Sequence, residues 1–192
     1  MVGEADALRV VLLGPPGAGK GTQAQLLAAR LGVPAISTGD MLREAVAAGS
    51  DLGRRVEGVM AAGGLVDDAL MAEVVRDRLA KPDARAGFLL DGYPRTLPQA
   101  KTLEGILAAS GQPLDAVVMV DVPEEELVRR ALLRGRADDG ADVVRERQRV
   151  YREKTAPLIG YYRERGLLHE IDGHQPVEEV TASLFSALGV AC

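Results

Sequence analysis

The sequence predicts an α/β protein, a single domain built on a parallel sheet covered by helices. Three observations carry this. Five apolar runs, at 8–13, 34–37, 87–90, 116–120 and 167–171, are each followed by a polar or glycine-rich stretch. Segments of helical periodicity separate them, and that alternation is the signature of parallel strands joined by helices. The first run enters Gly14-Pro15-Pro16-Gly17-Ala18-Gly19-Lys20-Gly21-Thr22 and leaves as a helical stretch from Gln23 to Arg30. A glycine-rich turn in that setting is a phosphate-binding loop.

In this loop Gly17 and Gly19 let backbone N–H groups point inward around an anion, and the helix that follows adds about half a positive charge at its N-terminus. Lys20 supplies a mobile cation for outer phosphates. An ordinary strand-to-helix turn needs one or two glycines, whereas these nine residues carry four glycines, two prolines and a lysine at the helix mouth. The general pattern places Ser or Thr directly after the lysine. Gly21 stands there instead, so no hydroxyl can reach a metal from that position, and Thr22 is the one left to serve the phosphates.

With 192 residues, 47% hydrophobic and 27% charged, the chain suits one domain with small insertions and a proper core. Aromatic residues make up only 3% and the net charge is −5, which argues against base stacking and against a sequence-independent grip on nucleic acid. Cys192 is the sole cysteine, which excludes an intrachain disulfide and a cysteine zinc site. Met1 to Ala7 carry Glu4 and Asp6 and lack the form of a secretory signal, and no run reaches the ~20 apolar residues of a membrane span. A cytoplasmic monomer is expected.

Residues just after each strand are the ones to inspect, because ligands gather at the carboxyl ends of a parallel sheet. Ser37-Thr38-Gly39-Asp40-Met41-Leu42-Arg43 follows the second strand and opens a helix to about Ala48, with Ser37 or Thr38 as N-cap. A second short helix, Leu52 to Ala61, lies between the breaks at Gly49-Ser50-Asp51 and Gly63-Gly64-Leu65-Val66-Asp67. The pair reads as a small insertion, before a helix from Asp68 to Leu79. The third strand ends in Asp91-Gly92-Tyr93-Pro94-Arg95-Thr96, where Asp91 holds the place of a carboxylate that orients Mg2+ or its waters. Arg95 falls at a helix start, which disfavours a cation unless an anion is near. Gln99, four residues on, is expected on the same helix and face.

After the fourth strand, Glu124 to Arg134 reads as a helix on which Arg130 and Arg134 share a face. A surface ion pair is expected between Arg129 and Glu125, leaving Arg130 and Arg134 for another use. A loop from Gly135 to Gly140 leads to a long helix from Asp142 to about Arg163, interrupted by Pro157. Arg147 falls on its apolar stripe between Val143 and Tyr151, and an inward arginine needs an anion, either a protein carboxylate or a bound phosphate. The last strand leads through His174-Gln175-Pro176 to a closing helix, Glu178 to Leu188. Neither His169 nor His174 has metal-ligand spacing.

One loop lysine and several arginines would thus converge on the carboxyl edge with one aspartate and no nucleophile paired to a base. That toolkit suits phosphoryl transfer between bound nucleotides, where catalysis is positioning and charge neutralisation. A transferase must also exclude water, which calls for mobile flaps.

At this point the chain resembles the adenylate kinase family, from Leu8 to Leu188. The matching stretches are Gly14 to Thr22, Ser37 to Arg43, Gly87 to Thr96 with Gln99, Arg136 to Asp139, and Thr155-Ala156-Pro157-Leu158-Ile159-Gly160-Tyr161-Tyr162. The resemblance implies a three-layer P-loop fold with a five-stranded parallel sheet and the loop strand at its centre. It implies reversible transfer of the terminal phosphoryl of ATP to AMP, giving two ADP, with Mg2+. ATP would be held by Gly14 to Thr22 with Lys20, by Arg130 and Arg134, and by Gln175 at the adenine. AMP would be held by Thr38, Arg43, Gly64, Leu65, Val66, Gly92, Arg95 and Gln99. Asp91 would orient Mg2+ through water, while Arg134, Arg136 and Arg147 would close over the moving phosphoryl. The implied division is a core at 1–37, 68–129 and 143–192, an AMP-binding insertion at 38–67 and a lid at 130–142.

Only Gly135 separates Arg134 from Arg136, so this lid is shorter even than the family's short form, and the single cysteine excludes the zinc-bearing long form. A uridylate or cytidylate kinase would share every phosphate-handling motif. Thr38 favours AMP, because pyrimidine-specific relatives tend to carry Ala there, and Gln99 suits the edge of adenine. A nucleotide-binding regulator without turnover has less need of Lys20, Arg43, Asp91, Arg95, Arg136 and Arg147 around one phosphoryl group.

Overall fold

All five apolar runs form strands and every pairing between them is parallel. The computed structural model describes residues 8–136 and 140–191; Met1 to Ala7, Ala137 to Asp139 within the expected lid, and Cys192 lie outside them. The strands are β1 (Arg9–Leu13), β2 (Ala35–Ser37), β3 (Phe88–Asp91), β4 (Ala116–Asp121) and β5 (Leu168–Asp172), in the order β2-β3-β1-β4-β5. The strand that feeds the glycine-rich loop is therefore central. The chain departs from it to one side through β2 and β3 and to the other through β4 and β5, so the loops after β1, β3 and β4 emerge side by side.

Helices cover both faces. The described ones are α1 (Lys20–Leu31), α2 (Thr38–Ala47), α3 (Asp51–Ala61), α4 (Asp68–Leu79), α5 (Leu97–Ala109), α6 (Glu124–Arg134), α7 (Ala141–Val150), α8 (Pro157–Glu164) and α9 (Val177–Ala187). Along β1, Val10 and Leu12 pack with Leu27 of α1 and Leu184 of α9, while Val11 and Leu13 pack on the opposite face with Val75 of α4, Leu103 of α5 and Leu158 of α8. Burial on both faces is why these strands read as unbroken apolar runs. Leu27 and Leu103 are fully buried, a state that contributes roughly 1.5–3 kcal/mol per side chain.

Caps fix where helices begin. The Ser37 hydroxyl accepts from the Asp40 N–H, Ser50 accepts from Gly53, and the Asp67 carboxylate accepts from Ala69 and Leu70. Of the two candidate caps for α2, Ser37 is the one used. Helix α3 lies hard against α2 at Gly53, where a Cβ would fall 2.1 Å from the Ala45 carbonyl oxygen.

The interruption expected at Pro157 takes a specific form, and one expected ion pair is corrected. The helix expected from Asp142 to Arg163 is α7, a π turn at Tyr151–Thr155, and then α8 with Pro157 in its first turn. Proline has no N–H to donate and its ring crowds the carbonyl four residues back. The backbone widens instead, with the Ala156 N–H reaching the Tyr151 carbonyl at 2.8 Å, and the chain continues as helix. On α6, Glu126 and not Glu125 takes Arg129, in two bonds of 2.8 and 2.7 Å, and Glu126 also accepts from Arg130 Nε at 2.8 Å. Residues three and four after Glu126 both flank it on the helix surface, so one carboxylate serves two guanidinium groups.

Candidate active site

The carboxyl ends of β1, β2 and β3 open into a cleft of about 560 Å³. Gly14, Pro16, Gly17, Gly19, Lys20, Gly21 and Thr22 line it from the glycine-rich loop and the start of α1. Thr38, Arg43, Gly64, Leu65 and Val66 line it from the α2–α3 region, Asp91, Gly92, Arg95 and Gln99 from β3 and α5, and Arg130, Arg134, Arg136 and Arg147 from α6 to α7. Residues from four regions of the sequence thus meet at one sheet edge.

Two loop residues stand apart from the cleft. Ala18 is buried in the apolar layer against α1, and its N–H is spent on the Pro15 carbonyl at 3.2 Å. The same Pro15 oxygen accepts from Lys20 Nζ at 3.0 Å. Gly19, the N-cap of α1, adopts φ 91°, a left-handed conformation that costs a glycine little and turns the chain directly into the helix.

The cleft concentrates positive charge. Burial lowers the Lys20 pKa below the ordinary lysine value; Asp91 opposes that shift, and Arg95 and Arg134 reinforce it. Burial likewise lowers Arg95, again opposed by Asp91 and reinforced by Arg147 and Arg43. Each of these cations raises the cost of charging the next, the state of a site made to receive a multivalent anion. Asp40 is held below the usual carboxylate range by its hydrogen bond from Arg43.

Arg95 lies before α5 and not on it, which corrects the expectation that Gln99 shares its helix. Thr96 is the N-cap; its hydroxyl accepts from the Gln99 N–H at 3.3 Å, and the Gln99 carboxamide oxygen accepts from the Arg95 N–H at 2.8 Å. This is a capping-box pairing displaced by one residue. Gln99 also donates to Asp68 at 2.8 Å, so both ends of its amide are engaged within the protein. Arg95 Nε donates to the Gly92 carbonyl at 2.8 Å. Gly92 adopts φ 92°, and a Cβ there would fall 2.6 Å from the Thr38 hydroxyl, so only glycine fits between β3 and the start of α2.

A second concavity of about 540 Å³ adjoins the first through Gly17, Gly19, Thr22 and Arg130, and is closed by Gly173, His174, Gln175 and Val177. Arg130 spans the two, held by Glu126 and by donation to the Gly173 carbonyl at 3.2 Å. The ion pair does not withdraw Arg130 from the cleft; it orients it.

Sequence reasoning missed Tyr151, which lines the cleft, and two buried polar side chains. Gln148 donates to the Pro16 carbonyl at 2.9 Å, and Thr155 donates to the Arg95 carbonyl at 2.7 Å. The available signal was slight: Gln148 lies four residues after the buried Val144, on the inward face of α7.

Comparison with known proteins identifies the family. The family model described as adenylate kinase matches residues 12–167. Relatives named adenylate kinase include one from Thermobifida fusca, 52% identical over 185 residues covering 94% of this chain and 98% of that one. Another, from a Nocardioides species, is 50% identical over 187 residues, covering 95% and 98%. A third, from Kosmotoga olearia, is 48% identical over 212 aligned positions, covering 94% and 99%.

Proposed function

This chain belongs to the adenylate kinase family, and from that membership we propose how its residues transfer the terminal phosphoryl group of ATP to AMP. The observation that carries the reading is the convergence of Lys20, Asp91, Arg95 and Arg147 on one cleft, where burial, reinforced by neighbouring cations, lowers the pKa of both Lys20 and Arg95.

The glycine-rich loop cradles the ATP phosphates, with the N-terminus of α1 and Lys20 directed at the β and γ groups. Arg130 and Gln175 hold the adenine end in the second concavity. Across the cleft, Thr38, Arg43, the backbone of Gly64 to Val66, Gly92 and Gln99 seat AMP, with Gln99 acting through the Arg95 backbone as well as beside the base. An AMP phosphate oxygen attacks the γ-phosphorus in line. The bond to the β,γ-bridging oxygen breaks, and the electron pair leaves on ADP. Arg95, Arg136 and Arg147 balance the charge on the equatorial oxygens, so the protein contributes position and charge and forms no covalent intermediate.

The family uses Mg2+ with ATP. In this chain a Cβ at Gly21 would stand 3.9 Å from Asp91 Oδ2, so that carboxylate overhangs the start of α1, where the phosphates are held. One carboxylate beside substrate phosphates and water suits Mg2+, which keeps most of its hydration. When bound there, Mg2+ neutralises charge on the β and γ oxygens. Asp91 would hold it through water, and the glycine at 21 would leave room for that water.

The reading divides the chain into the core, the AMP-binding insertion at 38–67 and the lid at 130–142, of which 137–139 lie outside the described residues. Among the described residues no helix is long and apolar enough to cross a membrane; a cytoplasmic monomer acting on free nucleotides completes the proposal. The test is a coupled assay for ADP formed from ATP and Mg2+ with AMP, UMP, CMP or GMP as acceptor. Strong preference for AMP is expected. Preference for UMP or CMP overturns the role of Thr38, and no transfer to any acceptor overturns the reading.

A further inference from the structure

We propose that Gln148 and Thr155 are positioning residues that tie the ATP-side loop and the AMP-side loop to one helical strut, which fixes the two loops beyond the paired strands that carry them. This rests on the roles proposed above for the glycine-rich loop and for Arg95.

Both side chains are buried, Gln148 2% and Thr155 6% exposed. Their neighbours Val144, Val150 and Leu158 are apolar and buried, so packing alone would be met by leucine and valine. A buried polar group is tolerated only when hydrogen-bonded. Each of these two spends its donor on a loop carbonyl: Gln148 Nε2 on Pro16 at 2.9 Å, and Thr155 Oγ1 on Arg95 at 2.7 Å. The first carbonyl belongs to the ATP cradle and the second to the arginine beside AMP.

The donors are seven residues apart on the segment that runs from α7 through the π turn into α8, a span of about 10 Å along a helix. The π turn ends at Thr155 and is completed by the bond from Ala156 to Tyr151, so the position of the hydroxyl is set by the same widening that admits Pro157. From its own element Arg95 is restrained only locally, at its N–H by Gln99 and at Nε by Gly92. Thr155 links it to the helix that also holds the ATP loop. Phosphoryl transfer needs the reacting atoms at about 3–3.5 Å in line; the pairing of β1 with β3, Leu12 beside Asp91, fixes the roots of both loops, and the strut holds the segments beyond them at Pro16 and Arg95.

The experiment measures kcat and the KM values for ATP and AMP, with thermal unfolding as a control, for Thr155→Val, Thr155→Ser, Gln148→Leu and the double variant Thr155→Val/Gln148→Leu. Each apolar single variant is expected to lower kcat by on the order of 10- to 100-fold, the scale on which a ~1 Å misplacement registers, with both KM values within about threefold by the same argument. Thr155→Ser restores kcat. The double variant falls no further than the worse single one, because one strut is broken either way; independent structural roles would multiply. Multiplicative loss, unchanged kcat in the single variants, or failure of Thr155→Ser to restore it overturns the proposal. If Thr155→Val does not fold, Gln148→Leu and Thr155→Ser carry the same expectations. Arg95→Ala separates the two levels: full activity there sinks the role of Arg95 itself, whereas loss there with normal Thr155→Val sinks only the strut.

Discussion

Arg95→Ala should separate catalysis from folding. The structure sets the size of both effects. The guanidinium is held before catalysis begins, through Nε on the Gly92 carbonyl at 2.8 Å and through main-chain bonds to Gln99 and Thr155. A preorganised arginine at a phosphoryl group is worth a factor of 10³–10⁵. Arg43 and Arg147 share the cleft and keep part of the positive field, which places the loss at the lower end, about a thousandfold in turnover, or about 4 kcal/mol. For folding, truncation forfeits one hydrogen bond, about 1 kcal/mol. It also relieves the burial cost and the repulsion from Arg147 and Arg43 that lower the Arg95 pKa. The two oppose each other, so stability in urea should change by no more than about 1 kcal/mol, within the range of single hydrogen-bond deletions. The assay is ADP formation at saturating ATP and AMP beside a urea unfolding curve. Turnover within tenfold of the parent would refute the placement of Arg95 at the transferred group, and a thousandfold loss with a destabilisation of several kcal/mol would refute the claim that its work is electrostatic.

Lys20→Met should abolish turnover and ATP binding while leaving the ligand-free protein as stable or more so, because burial and the nearby Arg95 and Arg134 already disfavour the lysine charge; calorimetric titration with ATP and thermal unfolding check the two halves. Gly92→Ala should raise the KM for AMP and cost roughly 1–2 kcal/mol for its left-handed φ alone, since its Cβ would also displace the Thr38 hydroxyl. Gly53→Ala should cost about 3 kcal/mol in urea unfolding, because its Cβ meets the Ala45 backbone, which cannot swing aside. The Glu126 carboxyl, pushed down from 4.5 to about 2 by Arg129 and then Arg130, stabilises the folded state fully above the unfolded-state value and loses that contribution as pH falls through the folded one. The acid limb of stability between pH ~4.5 and ~2 should therefore flatten in Glu126→Gln, and an unchanged limb would show that the pair carries no linkage.

Much of this molecule was readable in one dimension. The glycine-rich loop, the five strands and helices such as Asp68 to Leu79 and Glu124 to Arg134 are written in local periodicity and in residues with restricted backbone choices, so neighbours a few positions apart suffice to specify them. Less legible was the use of polar side chains within helices. Glu126 serves two arginines where a pair with Glu125 was expected, because spacing tells which residues are within reach and not which rotamers win. Gln99 and Arg95 were assigned to one helix, yet the turn after Asp91 delays α5 until Leu97 and makes Gln99 a clasp on Arg95.

The elements and the chemistry at the ends of the strands are encoded locally, since a lysine after a glycine turn and an aspartate after an apolar strand carry their meaning among near neighbours. Which distant groups share a bond is settled only on folding. Gln148 and Pro16 are 132 residues apart and Thr155 and Arg95 are 60 apart. Their meeting depends on the order β2-β3-β1-β4-β5 and on a π turn before Pro157, and no short-range pattern encodes a contact that exists only once the sheet has closed around its central strand.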